Sequence, residues 1–436
     1  MHDMLRELFP LCRSITGNGV RDTLRVIGRR IPLQLHEVPT GTNVLDWTIP
    51  NEWNIRDAWL KDPTGRTIAA FRDSNLHVVN YSAPVDRRLT LAELRPHLFS
   101  LPDKPDWVPY RTSYYEETWG FCLPHREVER LIDGTYEAYI DSTLAPGSLT
   151  YGECVVAGTE PSEVLIACHT CHPSMANDSL SGVVLAAFLA EALLERPRRY
   201  TYRLLFAPGT IGAVAWLAKH GDAARRVAHG LVVTCVGDPG DFTYKRSRRG
   251  NAEIDRAVVQ VLREAGEAHQ VVDFTPYGGD ERQFCSPGYN LAVGSLTRSP
   301  YWEFPQYHSS ADTPEVVTAE ALGESLDVYL RVIDVLEGNR RYLNLRPLGE
   351  PQLGRRGLFR ALGGHLDPRS REYALLWVLN LSDGHHTLLD IAERSGLPFS
   401  ALRDAATLLV QHDLLEALPV HEEHADAGHH AQNLRS

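Results

Sequence analysis

The sequence predicts an α/β protein: a mostly parallel central sheet covered by helices, with an inserted small β domain and a C-terminal winged-helix-like α+β domain. Three observations support this. From residue 150 onward, short apolar strands alternate with helical segments, as in a parallel sheet. Residues 36–145 instead hold short apolar pieces between Pro, Gly, Asn and Asp clusters. Near the C-terminus a helix, a short helix, a turn and a longer helix follow one another.

The 436 residues are too many for one compact core, so we expect several domains. Residues 1–35 and 146–340 are assigned to the α/β domain, and residues 36–145 to the inserted β domain. Residues 341–365 are predicted to be a linker. Residues 366–420 are predicted to form the winged-helix-like domain, and residues 421–436 a disordered tail.

Hydrophobic periodicity places the individual elements. An amphipathic helix is predicted around Val20–Ile31, and strands of the inserted domain at Thr67–Phe71, Leu76–Val79 and Tyr136–Ile140. The α/β part is predicted to contain, in order, strand Val164–Cys168, helix Leu180–Leu194, strand Tyr202–Ala207, helix Val214–His220, strand Leu231–Val236, helix Ile254–Ala265, strand Leu291–Ser295 and helix Ala319–Leu336. The C-terminal helices are predicted at Arg371–Leu381, Thr387–Ser395 and Ser400–His412.

The charge of the chain argues against nucleic-acid and membrane partners. Lys and Arg number 44 against 56 Asp and Glu, a net charge of −12, and non-specific nucleic-acid binders are basic. Residues 366–420 contain four basic and eight acidic residues. We therefore expect the C-terminal helices to serve packing or oligomerisation rather than DNA binding. Homo-oligomer formation through the C-terminal or inserted domain stays open.

A cytoplasmic location is expected. No apolar run approaches the roughly 20 residues that span a bilayer, and the first ten residues lack the basic start and long apolar segment of a secretory signal. The seven cysteines are an odd, scattered set. Without a signal they are expected to be reduced thiols.

The segment from Cys168 to Gly182 is rich in side chains that bind metals. It follows a buried strand, and the carboxyl ends of parallel strands are where ligands bind. Here we favour a metal site with His172 and Asp178 as ligands, because imidazole and carboxylate suit zinc. Three alternatives remain: haem attachment through Cys168-His-Thr-Cys171-His172, a redox or zinc-binding cysteine pair, and a histidine that is merely hydrogen-bonded.

A second candidate histidine, His308, stands in a loop before the long helix Ala319–Leu336. Asp312, four residues further on, could accept a hydrogen bond from a histidine, as carboxylates beside metal sites do. It could equally cap the local backbone.

These motifs together resemble the di-zinc aminopeptidase superfamily. The shared pattern is a strand followed by His, then Asn-Asp-x-x-Ser-Gly and a helix, and roughly 130 residues later Tyr-His-x-x-x-Asp-Thr. More specifically, the segments Leu8–Gly17, Glu52–Asp57 and Cys171–Gly182 resemble those of a bacterial aminopeptidase-like family, over about residues 5–420. The resemblance implies an inserted domain comparable to a protease-associated domain. It also implies one or two zinc ions held by His172, Asp178 and His308.

The sequence departs from that superfamily at one important place. The superfamily has a Glu-Glu pair after the next strand, as general base and metal ligand, where this chain has Gly209-Thr210. We therefore predict Glu281 as the catalytic base or an extra ligand, since a carboxylate near a metal-bound water is what such hydrolysis needs. Asp238 is the candidate fourth ligand, against the alternative of a turn-forming Asp before Pro.

Three further residues are predicted to bind substrate: Asp280, which would meet a substrate ammonium group, Arg282 and Tyr307. The basic run Lys245–Arg249 is either solvated or holds an anionic substrate group. No serine-hydrolase, Walker or dinucleotide-binding motif occurs in the sequence.

The function expected from the resemblance is zinc-dependent hydrolysis of an amide bond, as aminopeptidase-type release of an N-terminal amino acid from a small peptide or aminoacyl conjugate. The alternative is a non-catalytic binding or assembly protein on the same scaffold, which the absent Glu-Glu pair favours. A DNA-bound regulator is a third possibility, against which the charge argues.

Overall fold

The computed structural model describes residues 1–358 and 371–419. The chain divides into two compact units, Met1–Ile333 and Asp334–Ser436. The first unit contains both the α/β sheet and the inserted domain, so the two predicted domains pack as one body. The predicted tail 421–436, and the parts of the predicted linker and winged-helix-like domain within residues 359–370 and at residue 420, lie outside the described residues.

The strands of the first unit are β1 (Gln34–Pro39), β2 (Asn43–Val44), β3 (Trp47–Thr48), β4 (Glu52–Lys61), β5 (Thr67–Ala70), β6 (Val85–Thr90), β7 (Leu98–Phe99), β8 (Phe121–Cys122), β9 (Thr135–Ala145), β10 (Ser148–Val156), β11 (Glu163–His169), β12 (Thr201–Ala207), β13 (Val227–Val233), β14 (Phe242–Lys245), β15 (His269–Val272) and β16 (Val293–Thr297). The helices up to Gly338 are α1 (His2–Leu8), α2 (Asn18–Ile27), α3 (Leu91–Leu94), α4 (His125–Glu129), α5 (Gly182–Leu194), α6 (Ile211–His220), α7 (Glu253–Ala265), α8 (Glu281–Phe284) and α9 (Ala319–Gly338).

The central sheet has eight strands in the order β1-β10-β12-β11-β13-β16-β14-β15. Strands β12, β11, β13 and β16 are parallel to one another and form its centre. The flanking pairs β1–β10, β10–β12 and β14–β16 are antiparallel. The predicted α/β class is confirmed, and the parallel strands direct their carboxyl ends to the same edge.

The middle of this sheet is built from apolar elements. All seven residues of β11 are buried, as expected of a strand covered by helices on both faces. The segment Ala176–Leu194, which includes α5, is long and apolar enough to cross a membrane, contrary to the expectation from the sequence. However, 78% of that window is buried inside the protein, and packing against the sheet accounts for its apolar composition.

The inserted domain is centred on a four-stranded antiparallel sheet in the order β5-β4-β9-β6. Its core contains Leu60, Phe121, Tyr136 and Ile140. Two of the three predicted strands are present within β5 and β9. The third prediction is wrong, because Asn75–His77 forms a 3₁₀ turn that the Ser74 hydroxyl caps.

The second unit has strands β17 (Arg341–Asn344), β18 (Asp383–Thr387) and β19 (Leu415–Ala417), and helices α10 (Arg371–Leu381), α11 (Leu388–Ser395) and α12 (Phe399–Gln411). The strands pair antiparallel in the order β18-β17-β19, and the helices bury Leu375, Leu388 and Leu402. The winged-helix prediction is confirmed. The linker prediction fails at its start, because Arg341–Asn344 is the central strand of this sheet.

Candidate metal centre and cavity

The candidate site lies at the carboxyl end of β11. His169 is the last residue of that strand, and a helical turn Ala176–Ser181 then carries Asp178 into α5. Asp312 fixes this turn, since its carboxylate accepts the backbone N–H groups of Asn177 at 2.7 Å and Asp178 at 3.0 Å. Of the two roles open to Asp312, the structure therefore gives it the backbone-capping one.

Three histidines surround the buried carboxylate of Asp178. The Nε2 atom of His169 lies 3.0 Å from Oδ1 of Asp178. On the other side, Oδ2 lies 3.0 Å from Nε2 of His308 and 4.0 Å from Nε2 of His172. The predicted ligands His172, Asp178 and His308 are thus brought together from distant parts of the chain, with His169 added to them.

The unsatisfied atoms of this cluster fit a metal ion. Oδ2 of Asp178 and Nε2 of His308 are both buried without a hydrogen-bond partner although they are 3.0 Å apart. One ligand atom each from His169, His172 and Asp178 also lies within 4.8 Å of the others. Two imidazoles and a carboxylate around a shared point are a donor set that zinc favours.

The protonation states suit metal binding as well. Burial holds the pKa of His172 well below its ordinary value. Burial alone would raise the pKa of Asp178, but the adjacent histidines, His172 first, hold it well below its usual range. A neutral imidazole and an ionised carboxylate are the forms that bind metal ions.

His169 differs from its neighbours in this respect. Burial acts to lower its pKa, but the hydrogen bond to Asp178 and the nearby charge of Asp280 raise the pKa above the ordinary value. His169 is therefore poised to share a proton with Asp178.

The inserted domain packs against two histidines of the cluster. The ring of Tyr110 lies 5.1 Å from that of His172 and 5.0 Å from that of His308, between centroids. Its backbone N–H donates to the carbonyl of His308 at 2.8 Å. His308 has a left-handed φ of 51°, a conformation that costs a non-glycine residue about 1–3 kcal/mol. The contact with Tyr110 helps to hold it there.

A second support comes from the N-terminal segment. Arg13 is buried, and its Nε donates to the carbonyl of His172 at 2.7 Å while NH1 donates to that of Leu8 at 2.6 Å. Asn80 of the inserted domain donates to the carbonyl of Arg13 in turn. The loop that carries His172 is therefore fixed from two directions.

The cluster opens into a cavity of about 230 Å³, on whose wall the structure places the three predicted substrate contacts, Asp280, Arg282 and Tyr307. The carboxylate of Asp280 lies beside Gly209: a Cβ added there would be 3.4 and 3.5 Å from its two oxygens. Burial raises the pKa of Asp280 to about 6. Tyr307 stacks on His308 with centroids 3.9 Å apart.

Two predicted residues have other partners. Glu281 is fully buried in an ion pair with Lys245, its Oε1 also accepts the N–H of Gly279 at 3.1 Å, and it is not on the wall of this cavity. Its Oε2 has no hydrogen-bond partner, but that oxygen is buried away from the cavity and does not reach a water bound there. The prediction that Glu281 is the base therefore needs correction.

Asp238 also departs from its predicted role. Its carboxylate accepts hydrogen bonds from the side chain of Asn177 at 3.0 Å, from the N–H of Gly240 at 3.0 Å and from the hydroxyl of Ser299. With both oxygens occupied, Asp238 organises the turn after β13, which is the structural alternative considered above, and it lies outside the group formed by His169, His172 and Asp178.

The remaining candidates are structural. All seven cysteines are free, and burial raises the pKa of the Cys171 thiol to about 12, unlike a redox pair. In the basic run, Lys245 pairs with Glu281, while Arg248 and Arg249 donate to Asn290. The run is thus bonded to its own surroundings.

His169 was not predicted as a site residue from the sequence. A signal was available, because the pattern of the resembled superfamily places its first histidine directly after the strand, where His169 stands. His172 was predicted instead, because of its spacing to Asp178. Both histidines face the same carboxylate, so the fold brings them together despite their different positions in the loop.

Comparisons with family models divide the chain much as the structure does. Residues 2–339 match the model described as a domain of unknown function (DUF4910), and residues 340–417 match a winged helix-turn-helix model. A protein of Clostridium acetobutylicum, whose description names polysaccharide biosynthesis and an aminopeptidase-like domain, is 50% identical over 416 residues, which cover 95% of this chain and 96% of that protein.

Solved structures agree on the fold. A Clostridium acetobutylicum structure described as a peptidase superposes with a TM-score of 0.90 at 48% identity, covering 96% of each chain. A zinc aminopeptidase from Bacillus subtilis gives a TM-score of 0.57 at 12% identity, covering 77% of this chain and 93% of its own. The latter likeness shows the fold alone. It confirms the expected architecture of the first unit.

Proposed function

The chain belongs to the family defined by the DUF4910 domain, and from its aminopeptidase-like fold and its site we propose that it is a metal-dependent hydrolase of amide bonds. The observation that carries this proposal is the group of three histidines around Asp178 at the base of a cavity. His172, Asp178 and His308 would hold the metal ion, with His169 at the other oxygen of the carboxylate.

When bound, a zinc ion would polarise the carbonyl of the amide and lower the pKa of a water molecule to about 7. The rest of the reaction falls to the side chains of the cavity. Asp280 is the carboxylate on the cavity wall besides Asp178, within the part of the chain that the structure describes. We therefore assign proton transfer to Asp280 in place of Glu281.

The bonds change as follows. The oxygen of water bonds to the carbonyl carbon, and Asp280 accepts the proton that this water gives up. The C–N bond then breaks with its electron pair going to nitrogen, and the leaving nitrogen receives the proton back from Asp280. A carboxyl group close to the reacting water contributes typically 10²–10⁴-fold to such a reaction.

The finer proposal is release of an N-terminal amino acid from a small peptide or an aminoacyl conjugate. Arg282 donates to the hydroxyl of Thr210 at 3.3 Å while its Nε has no partner, so it can donate a hydrogen bond to a substrate carbonyl. The Clostridium acetobutylicum relative is described as a polysaccharide biosynthesis protein. The description of this relative favours a biosynthetic conjugate over a general peptide.

The test combines metal content with turnover. We expect the purified chain to contain zinc by elemental analysis and to hydrolyse aminoacyl p-nitroanilides. His308→Ala should lose both properties, because its Nε2 is one of the two unsatisfied atoms. His385→Ala, an exposed histidine of β18, should lose neither. Absence of metal and of turnover in the unmodified chain would overturn the proposal.

One observation favours a non-catalytic protein on this scaffold. Gly209 and Thr210 stand where related peptidases carry a pair of carboxylates, as the sequence comparison implied. Full metal loading without turnover of aminoacyl anilides, amides or conjugates would support this second candidate.

A further inference from the structure

A second cavity of about 210 Å³ adjoins the first, and the two share the wall residues Tyr277, Gly278, Tyr301 and Trp302. Cavities that bind drug-sized ligands are roughly 300–1,000 Å³. The second cavity is smaller than these and has room for a single ring-sized group. Because the two cavities share these wall residues, a substrate can extend from the first cavity into the second.

The floor of the second cavity is one face of three strands. Lys245 of β14 pairs with Val272 of β15 and Ser295 of β16, and two residues away Thr243 pairs with Gln270 and Thr297. Residues two apart on a strand share a face, so these six side chains form two rows: Val272, Lys245, Ser295 and Gln270, Thr243, Thr297. Five of the six are polar, on a sheet whose centre is apolar.

Two hydroxyl groups of this floor have no partner. Thr243 and Ser295 are only 8% and 4% exposed, and no residue in the described ranges 1–358 and 371–419 accepts from or donates to either hydroxyl. Neither hydroxyl is among the described buried polar atoms that lack a partner, so both are open to the cavity that they line and are available to a ligand there. The floor is thus prepared for a ligand that has hydroxyl or amide groups of its own.

The charge of the cavity selects against anions. Its cation, Lys245, is paired with Glu281 and also donates to the carbonyl of Tyr277 at 2.8 Å. The rim adds the exposed carboxylate of Glu303. A phosphate or carboxylate would find no free positive charge here, and so a neutral or weakly basic ligand is favoured.

The entrance is lined by two exposed aromatic rings. Tyr277 and Trp302 are 63% and 60% exposed, and their rings lie 6.1 Å apart with an angle of 23° between planes. Trp302 has a φ of 73° and packs on Tyr307 with centroids 4.6 Å apart. Rings held open to solvent in this way offer flat apolar surfaces to a ligand ring.

From these observations we propose that the second cavity is a subsite for the amine part of the substrate, and that this part is a hydroxylated ring, an amino sugar. The inference rests on the proposed amide hydrolysis. The sugar would place its hydroxyl groups over Thr243 and Ser295 and its apolar face on Tyr277 or Trp302. The scissile amide would join the sugar nitrogen to an amino acid in the first cavity. Hydrolysis adds one water molecule and yields the amino acid and the amino sugar.

The kinetic test compares N-(L-leucyl)-D-glucosamine with L-leucine amide on the full chain. We expect kcat/KM to be roughly tenfold higher for the sugar conjugate, since the subsite adds binding energy of the order of one hydrogen bond or ring contact. In Thr243→Val, Ser295→Ala and Trp302→Ala the ratio of the two kcat/KM values should fall toward one. Trp59→Ala, a tryptophan that stacks on Tyr139 in the inserted domain, should keep the ratio.

A binding measurement separates the subsite from catalysis. We expect glucosamine to bind the unmodified chain by saturation-transfer NMR. Ser295→Leu, which fills the cavity, and Thr243→Val, which preserves its shape, should weaken that binding, and Trp59→Ala should not. Because Thr243→Val keeps the shape of the side chain, its effect on glucosamine binding tests the subsite even where Ser295→Leu fails to fold.

The outcomes are distinct. Hydrolysis of leucine amide without preference for the sugar conjugate overturns the subsite and leaves the proposed function standing. Glucosamine binding that depends on Thr243, without hydrolysis of either compound, supports the subsite and overturns the proposed function. If the chain neither hydrolyses these compounds nor binds glucosamine, both the subsite and the proposed function are overturned.

Discussion

Gly209 and Asp280 determine together where a proton acceptor can stand. Gly209 brings no side chain to the end of β12, and the space beside it is taken by the carboxylate of Asp280 from another loop. A Cβ at position 209 would also lie 3.2 Å from Cβ of His169. A carboxylate absent from one strand end can therefore be supplied by a neighbouring segment.

The substitution Asp280→Asn tests the proposed proton transfer by this carboxylate. The amide cannot accept the proton of the reacting water, so we expect kcat to fall at least about 100-fold while zinc content, measured by elemental analysis, stays unchanged. Asp273→Asn is the matched control, because that carboxylate is 97% exposed. Loss of zinc from Asp280→Asn would instead mean that Asp280 is a ligand.

A rescue variant sharpens this prediction. The backbone of Gly209 is not left-handed, so a longer side chain needs only a small shift of His169, whose Cβ would lie 3.2 Å from the new Cβ. In the Asp280→Asn background, Gly209→Glu should restore part of kcat, because its Cβ would lie 3.4 Å from the nearest side-chain oxygen of Asp280 and its carboxylate can reach the same region. Gly209→Gln in the same background should not restore it.

Part of the candidate site could be predicted from the sequence. His172, Asp178 and His308 stand in loops with recognisable motifs. The different surroundings of Glu281 and Asp280 could not be predicted, because adjacent residues at the start of a short helix point in different directions. That direction depends on Lys245, which contacts Glu281 only in the folded protein.

Among the elements, α5 depends on close approach to the sheet. A Cβ added at Gly182 would lie 2.2 Å from the carbonyl oxygen of Val233. Gly182→Ala should therefore push the start of α5 away and lower stability by about 1–3 kcal/mol or more. Gly323→Ala in α9, where nothing lies within 4 Å, should stabilise by about 0.5–1 kcal/mol. The melting temperatures of both variants measure these effects.

The ion pair between α2 and β4 should make the stability of the fold depend on pH. Arg21 of α2 donates to both carboxylate oxygens of Glu52 in β4, at 2.7 and 2.6 Å, and these hydrogen bonds lower the pKa of Glu52 to about 2. Because the folded pKa lies below the ordinary glutamate value of 4.5, the pair stabilises the fold above pH 4.5. That contribution is lost as the pH falls from 4.5 toward 2.

Calorimetry of the variant Glu52→Gln measures the contribution of the Arg21–Glu52 pair to stability. We expect a loss of about 1–2 kcal/mol at pH 7, reduced from the full linkage value because solvent screens the pair. The difference from the unmodified chain should shrink as the pH falls below 4.5. A difference that stays constant between pH 7 and pH 3 would show that the ion pair does not contribute.

The elements were predictable where the hydrophobic pattern was long. Helix α5, strand β11 and the helices of the second unit fall close to their predicted ranges. The short segments were not predictable: Asn75–His77 became a 3₁₀ turn, and Arg341–Asn344 a strand within the expected linker. These pieces owe their conformation to partners far along the chain, such as Leu415–Ala417.

On the scale of the whole molecule, the winged-helix unit raises the question of DNA. Helix α12, which takes the place of a recognition helix, contains one cation, Arg403. DNA binding requires several cations facing the phosphates. We expect no binding to duplex DNA by fluorescence anisotropy at low salt and neutral pH. Binding that weakens steeply with added salt would contradict this expectation.

The contact of Tyr110 with His172 and His308 has a consequence for engineering. The inserted domain cannot be exchanged as an independent cassette, because one of its own tyrosines touches two of the candidate ligands. A chimaera that takes this insertion from a homologue also replaces the residue that packs against these two histidines. Selectivity and metal retention would then change together, and directed evolution of one property would have to monitor the other.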